Sequence, residues 1–115
     1  MRRSLIATIT GVALLVFGAA AFAQDAKVEK GAKIYAEQKC VMCHSIAAKG
    51  NAKGPLDDVG AKLNAEEIRQ WIVDPVAMAA KAKAERKPPM PAKYASLPKD
   101  DLDALVAYLS SLKKK

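Results

Sequence analysis

Five consecutive residues contain both cysteines and the single histidine of this 115-residue chain. Cys40 and Cys43 are separated by two residues, and His44 follows directly. This C-x-x-C-H pattern is typical of the covalent attachment of a c-type haem. Both thiols can reach the two vinyl groups of one porphyrin edge from a single helical turn, and the adjacent imidazole then lies under the iron. We therefore expect one haem c bound through Cys40 and Cys43, with His44 as the proximal iron ligand.

Other interpretations of this motif explain fewer of its residues. A thioredoxin-like redox pair requires a βαβ context, and the sequence shows no alternating strand pattern. A disulfide between the two cysteines would close a very short loop and would leave His44 without a role. A zinc site would have two sulfurs and one nitrogen, with no second histidine. Two cysteines are also too few for a four-cysteine zinc or iron–sulfur site.

The N-terminal segment has the features of an export signal. It begins with two arginines, continues as an uncharged apolar run over residues 4–24, and has an A-x-A cleavage site that ends at Ala23. The sequence therefore predicts a cleaved signal peptide at 1–23, a haem-binding domain at 24–115 and a periplasmic location. Because the run is close to the roughly 20 residues of a membrane-spanning helix, a retained anchor is the alternative. Cleavage lowers the formal charge of +7 by two.

The remaining sequence predicts an all-α protein. Apolar side chains at helical spacing indicate helices over residues 26–39, 64–74 and 98–112. Asn64 has the position of an N-cap, and Pro75 disfavours helical conformation at the residue before it. The glycine- and proline-containing segments between the helices, residues 48–60 and 84–98, are predicted to be loops. We expect these loops to wrap around the haem.

The second axial ligand of the iron must come from a different residue type, because His44 is the only histidine. One methionine is lost with the signal and another lies between the attachment cysteines, which leaves Met78 and Met90. Met90 lies in the stiff, proline-rich segment 87–91, which can hold a thioether at a fixed distance. Met78 lies in an alanine-rich helical segment, where methionine usually fills a core. We predict Met90 as the ligand, with Met78 and an open or lysine-bound iron as alternatives.

The chain resembles the class I c-type cytochromes over residues 26–112. Its attachment motif lies near the mature N-terminus, unlike that of the four-helix-bundle cytochromes c′. Gly31 and Tyr35 match the Gly-x-x-x-aromatic pattern of the first helix in that family, and Leu105 and Tyr108 match the partners on the last helix. The resemblance implies the cytochrome c fold, in which helices and loops surround one haem and the first and last helices cross closely.

The same resemblance implies roles for three further residues. Pro55 matches the proline whose carbonyl group accepts a hydrogen bond from the proximal histidine. Trp71 matches an aromatic position on the methionine side of the haem. Tyr94 follows the Met-Pro pair that leads into the last helix of the family. We therefore expect Pro55, Trp71 and Tyr94 in the haem pocket.

The predicted ligands also determine the expected function. Axial ligation by His44 and Met90 would occupy both open positions of the iron, leave no site for a substrate and stabilise Fe(II). The sequence contains no other catalytic constellation. We therefore expect a one-electron carrier and not an enzyme. A five-coordinate, gas-binding or enzyme-like haem protein and a haem-bearing subunit of a larger complex are the alternatives.

The positive charge points to acidic partners. By the family fold, several basic residues lie in the loops around the haem edge: Lys49, Lys53, Lys81, Lys83, Arg86, Lys87 and Lys93. Such a ring would steer the protein towards acidic redox partners, such as a cytochrome reductase, an oxidase or a periplasmic dehydrogenase. Dispersed, solubilising lysines are the alternative. We expect a monomer that binds no nucleic acid and contacts membranes only through its partners.

Overall fold

A computed structural model describes residues 12–114. The first helix, α1, extends over Val12–Glu37 and passes through Ala23, the predicted cleavage point. Residues 1–11 of the predicted signal peptide lie outside the described residues, so the signal peptide and the boundary at residue 24 stay predictions. Among the residues described, no helix has the combination of length and apolar character that crossing a bilayer requires.

The rest of the described chain consists of short helices and one very short hairpin. The elements after α1 are a 3₁₀ turn Cys40–Met42, strands β1 (Ser45–Ile46) and β2 (Lys49–Gly50), helices α2 (Val59–Lys62), α3 (Ala65–Val73) and α4 (Pro75–Ala82), a 3₁₀ turn Ala92–Ser96, and helix α5 (Lys99–Ser110). This architecture confirms the all-α prediction. The antiparallel hairpin was not predicted, because strands of two residues are too short to show an alternating pattern.

Helices α1 and α5 form the largest interface between elements of the structure. At their crossing, a Cβ atom on Gly31 would overlap the carbonyl oxygen of Ala104, so only glycine permits this approach. The rings of Tyr35 and Tyr108 pack edge to face beside it, with centroids 5.9 Å apart. Leu105 is buried at the same interface. The close crossing implied by the family resemblance is therefore present.

Helix α3 begins and ends where its sequence indicates. The Asn64 side chain accepts a hydrogen bond from the Glu67 backbone, and the Glu67 side chain accepts one from the Asn64 backbone, which completes a capping box. The helix ends at Asp74, and Pro75 starts α4, where a first-turn proline loses no helical hydrogen bond. This junction places Trp71 and Pro75 on adjacent turns of the chain.

Ion pairs attach α1 and α3 to α5. Asp103 accepts hydrogen bonds from Arg69 at 2.7 Å and from Lys99 at 2.9 Å. Lys30 on α1 lies 3.2 Å from Asp101. Together with the apolar core between these three helices, the ion pairs hold the end of α1, from which the Cys40 motif continues, beside α3 and α5. The buried core residues are Ile34, Tyr35, Ile68, Ile72, Leu102, Ala104, Leu105, Val106 and Leu109.

Candidate functional site

The attachment motif lies in a single tight turn directly after α1. Lys39 adopts a left-handed conformation (φ 57°), which ends the helix and turns the chain. The backbone of Cys43 then donates to the carbonyl oxygen of Cys40 at 3.1 Å, and that of His44 donates to the same oxygen at 2.9 Å. As a result, Cys40, Cys43 and His44 line the same cavity.

A hydrogen bond to the loop that follows the hairpin orients the His44 ring. Its Nδ1 donates to the carbonyl oxygen of Gly54 at 3.1 Å. This interaction sets the tautomer, because a ring that donates from Nδ1 has its free lone pair on Nε2. Nε2 is then the nitrogen available to an iron, as is usual for metal-ligating histidines with an outer hydrogen-bond partner.

The prediction that Pro55 supplies this acceptor was wrong. Ser45 donates to the Gly54 carbonyl oxygen at 3.0 Å, and Leu56 donates to the Ser45 carbonyl oxygen at 2.8 Å. In this short β-bridge, the Gly54 carbonyl group and the Leu56 N–H group both face Ser45. Successive residues of extended backbone point in opposite directions, so the Pro55 carbonyl group points away from Ser45. Pro55 is exposed and is not among the cavity-lining residues.

The surroundings of His44 favour its neutral form. Burial lowers the pKa of His44, the hydrogen bond to Gly54 opposes this effect, and the positive charge of Arg86 lowers the pKa further. Neutral imidazole is the form that binds metal ions, so no proton has to be removed from this ring at neutral pH.

Two neighbouring cavities have five lining residues in common. They have volumes of about 270 Å³ and 260 Å³. The shared lining residues are Cys40, His44, Trp71, Met90 and Tyr94. The first cavity is also lined by Lys39 and Arg86, whereas the residues that line only the second have apolar or aromatic side chains, such as Leu56 and Ile68.

These residues fit a covalently bound haem. The site has two thiols for the porphyrin edge, an imidazole nitrogen, a thioether sulfur and apolar walls for the flat ring. The walls of the second cavity include Leu105 and Leu109, which belong to the protein core. The Tyr35 hydroxyl is buried in this wall and has no hydrogen-bond partner among the described residues. Burial of this ring is the main reason that the pKa of Tyr35 rises to about 12.

The structure brings together most of the predicted site residues and separates two of them. Trp71, Met90 and Tyr94 line both cavities together with Cys40 and His44. Met78 lies on α4 but does not line either cavity, whereas its neighbour Ala79 lines the first. Of the two candidate methionines, only Met90 therefore shares a cavity with His44. Pro55 is the second predicted residue that lies apart.

Sequence reasoning missed several wall residues. Lys39, Pro75 and Ala79 line the first cavity and had no recognisable signal. Ile68 and Ile72 flank Trp71 on α3, and they line the second cavity as well as the core. Their helical spacing was visible in the sequence, so extending the predicted pocket along the apolar face of α3 would have found them.

The basic residues predicted to surround the haem edge are all exposed, but only some lie at the cavities. Arg86 lines the first cavity. The ammonium group of Lys93 lies 5.3 Å from the centre of the Tyr94 ring, which also borders the cavities. Lys39 lies at the same opening although it was not among the predicted residues. The remaining members are exposed and line neither cavity: Lys49, Lys53, Lys81, Lys83 and Lys87.

Comparison with known proteins identifies the class to which this fold and site belong. The model of the cytochrome c family matches residues 28–113, so the chain belongs to the cytochrome c family. The chain is also similar to cytochrome c oxidase subunit 2 of Alkalihalophilus pseudofirmus, with 31% identity over 93 residues. That match covers 73% of this chain but 25% of the relative, so the chain spans about a quarter of that protein's length. No solved structure matches the chain significantly.

Family membership confirms the predicted cofactor. The protein binds haem c covalently, and the spacing of Cys40 and Cys43 is that of the attachment motif. Proteins of this family are haem c electron carriers. Bound haem iron supplies a one-electron Fe(II)/Fe(III) couple.

Proposed function

We propose that the chain is a one-electron shuttle whose iron is bound axially by His44 and Met90. The observation that carries this proposal is that Met90 lines the same two cavities as His44, whereas Met78 lines neither. His44 presents Nε2 because Nδ1 is engaged by Gly54. With both axial positions filled, the site has no room for a substrate, so the protein is a carrier and not an enzyme.

The protein's own residues would favour a high reduction potential. A methionine sulfur stabilises Fe(II) relative to a second nitrogen ligand. Apolar walls around the ring act in the same direction, because a site of low polarity disfavours the additional positive charge of Fe(III). The residues that provide these walls include Trp71, Leu105 and Leu109.

Absorbance spectra of the matured holoprotein test the ligand assignment. Ferric wild-type protein should show the charge-transfer band of a methionine–iron bond. Met90→Ala should lose this band, and the matched variant Met78→Ala should keep it. Retention of the band in Met90→Ala, or its loss in Met78→Ala, would overturn the assignment. A spectrum of five-coordinate iron in the wild type would instead support a gas-binding or enzyme-like protein.

We further propose that the partner surface is the basic side of the haem opening. Arg86 and Lys39 border the first cavity, and Lys93 lies over Tyr94 beside it. A positive surface of this kind attracts acidic patches on redox partners such as a reductase, an oxidase or a periplasmic dehydrogenase. Lys93→Glu should slow electron transfer to a purified oxidase and reduce the dependence of its rate on salt concentration. An unchanged salt dependence would contradict this surface.

Attachment to a larger oxidase is the second candidate function. The match to an oxidase subunit 2, of which this chain spans about a quarter, favours it. Size-exclusion chromatography of native extracts distinguishes the two candidates. A haem-staining species of monomer size supports the free carrier, whereas elution only with an oxidase supports the attached subunit.

The proposed location is the periplasm, reached by cleavage after Ala23. The support comes from the sequence pattern of the first 23 residues. Mass spectrometry of the protein from a periplasmic fraction should give an N-terminus at Gln24. An intact N-terminus in a membrane fraction would instead show that the segment is retained as an anchor.

A further inference from the structure

The segment that carries Met90 is attached to the protein by very few polar contacts. We call residues 84–91 the strap. Ala84, Arg86, Met90 and Pro91 line the first cavity, together with the two prolines between them. Within the described part of the chain, residues 85–90 take part in no hydrogen bond and no ion pair. Of these six residues, only Met90 is partly buried and the other five are exposed.

Arg86 places the strap against the loop that orients His44. Its Nη1 atom occupies the space in which a Cβ atom on Gly54 would lie. The same Cβ position is 3.0 Å from Nδ1 of His44. The guanidinium therefore covers the one residue whose carbonyl oxygen accepts the His44 hydrogen bond. Four residues further along the strap, Met90 lies in the cavity wall.

We propose that Arg86 is a positioning residue that fastens the strap to the His44 loop and thereby holds the Met90 sulfur at the iron. This proposal rests on the proposed ligation by Met90. A guanidinium suits the role, because a planar group can lie against the backbone at Gly54 while the exposed part of the side chain stays hydrated. The adjacent Lys87 is exposed and lines neither cavity, so it provides a matched comparison within the strap.

Loss of the Arg86 contact should have two separate effects. First, the strap should open more often, so an added ligand should compete more successfully with Met90. In that exchange, the iron–sulfur coordinate bond breaks, an iron–nitrogen bond to added imidazole forms, and no electron is transferred. Second, a positive charge would be removed from beside the proximal imidazole. Fe(III) would then be less disfavoured, and the midpoint potential should fall.

Imidazole titration and voltammetry of the holoprotein test this proposal. Arg86→Gln should lower the apparent dissociation constant of imidazole for the ferric form by roughly two- to fivefold, the range for interactions of exposed charged side chains. It should also lower the midpoint potential. Arg86→Lys, which retains the charge but not the planar fork, should bind imidazole almost as Arg86→Gln does and keep most of the wild-type potential. Lys87→Gln should bind imidazole as the wild type does.

The outcomes separate this proposal from the proposed function. If Met90→Ala alone abolishes the methionine–iron band, but Arg86→Gln and Lys87→Gln bind imidazole equally, the role of Arg86 is overturned and the ligand assignment stands. If the wild type lacks the band, ligation by Met90 is overturned and the positioning role falls with it. An equal fall of the potential in the Arg86→Gln and Lys87→Gln variants would show a general charge effect and would also overturn the specific role of Arg86.

Discussion

The chain around His44 is held by a network of backbone hydrogen bonds, whereas the strap around Met90 has none over residues 85–90 within the described structure. We call the attachment motif, the hairpin and the loop that contains Gly54 the histidine side. Hydrogen bonds of Ser45 and Asn51 connect these three parts. On the methionine side, over residues 85–90, Arg86 makes the contact with the His44 loop, and Met90 packs against the apolar core. The comparison indicates that the polypeptide alone can preorganise the histidine ligand. The methionine ligand depends on packing, on Arg86 and on its own bond to iron.

The largest effect is expected from a change at Gly54 that breaks the histidine side. A Cβ atom there would overlap Arg86 Nη1 and the carbonyl oxygen of Cys43. The arginine can move at little cost, but the Cys43 carbonyl belongs to the attachment turn and cannot. Gly54→Ala should therefore destabilise the holoprotein by about 1–3 kcal/mol, the usual range for overpacking.

Guanidinium unfolding followed by circular dichroism measures this loss of stability. The matched control is Lys53→Ala, which removes an exposed side chain from the neighbouring position. The control should unfold at nearly the wild-type denaturant concentration. Equal stability of Gly54→Ala and Lys53→Ala would show that the histidine side is less tightly built than the hydrogen bonds indicate.

The hairpin offers a way to strengthen the histidine side without touching the strap. Ala47 and Ala48, between β1 and β2, adopt left-handed conformations with φ values of 52° and 65°. This conformation is costly for a residue with a Cβ atom and is the one that type I′ turns require. Ala48→Gly should stabilise the protein by about 0.5–1 kcal/mol after the entropic cost of glycine is included.

Thermal unfolding of the holoprotein tests the hairpin prediction against Ala52→Gly. Ala52 is exposed and does not have a positive φ, so its replacement should lower stability. Imidazole binding should be unchanged in Ala48→Gly, because the strap is unaltered. If the Ala48 and Ala52 variants lose stability equally, left-handed strain in the turn does not contribute.

The ion pairs of Asp103 on α5 should give a smaller, pH-dependent effect. Hydrogen bonds from Lys99 and Arg69 lower the pKa of Asp103 below 3.8. A carboxyl group with a lowered folded-state pKa stabilises the protein above its unfolded-state pKa, and this contribution disappears as the pH falls through the folded-state value. Asp103→Asn should therefore lower the unfolding midpoint at pH 7, and the difference from wild type should vanish in strong acid.

Denaturation at several pH values, with Asp100→Asn as control, measures the contribution of Asp103. Asp100 lies on the same helical turn but makes no ion pair within the described chain. A difference between Asp103→Asn and wild type that stays constant down to the most acidic pH would contradict the assigned ion pairs.

The smallest effect is expected from loss of the Tyr94 hydroxyl, which faces the residue that follows α1. The Tyr94 hydroxyl lies 3.5 Å from the Gln38 carbonyl oxygen, which is long for a hydrogen bond. Tyr94→Phe should change stability by less than about 0.5 kcal/mol. Tyr94→Ala, which removes the ring that lines both cavities, is the control and should be less stable than Tyr94→Phe.

Guanidinium unfolding together with the ferric spectrum checks this pair of variants. Tyr94→Phe should keep the methionine–iron band and the wild-type unfolding midpoint. A large loss of stability in Tyr94→Phe would mean that a strong hydrogen bond supports the strap. The methionine side would then be held by polar contacts as the histidine side is.

Much of the fold could be predicted because its signals are local. The Asn64 capping box, the break at Pro75 and the apolar stripe of α5 depend on residues within a few positions of one another, and the structure has all three. The attachment motif is local as well, because one turn of backbone holds its three reactive side chains. Two-residue strands lie below the length at which an alternating pattern can be recognised, so the hairpin was missed.

The sequence by itself determined which groups can bind haem and restricted the methionine ligand to two candidates. Only the tertiary structure decided which carbonyl oxygen meets His44 and which methionine shares its cavity. It also decided that Arg86 covers Gly54 from 32 positions away in the chain. These outcomes depend on which way a backbone group faces and on which loops meet in space. No pattern of neighbouring residues encodes such contacts, because they form only when α1, α3 and α5 have packed around the site.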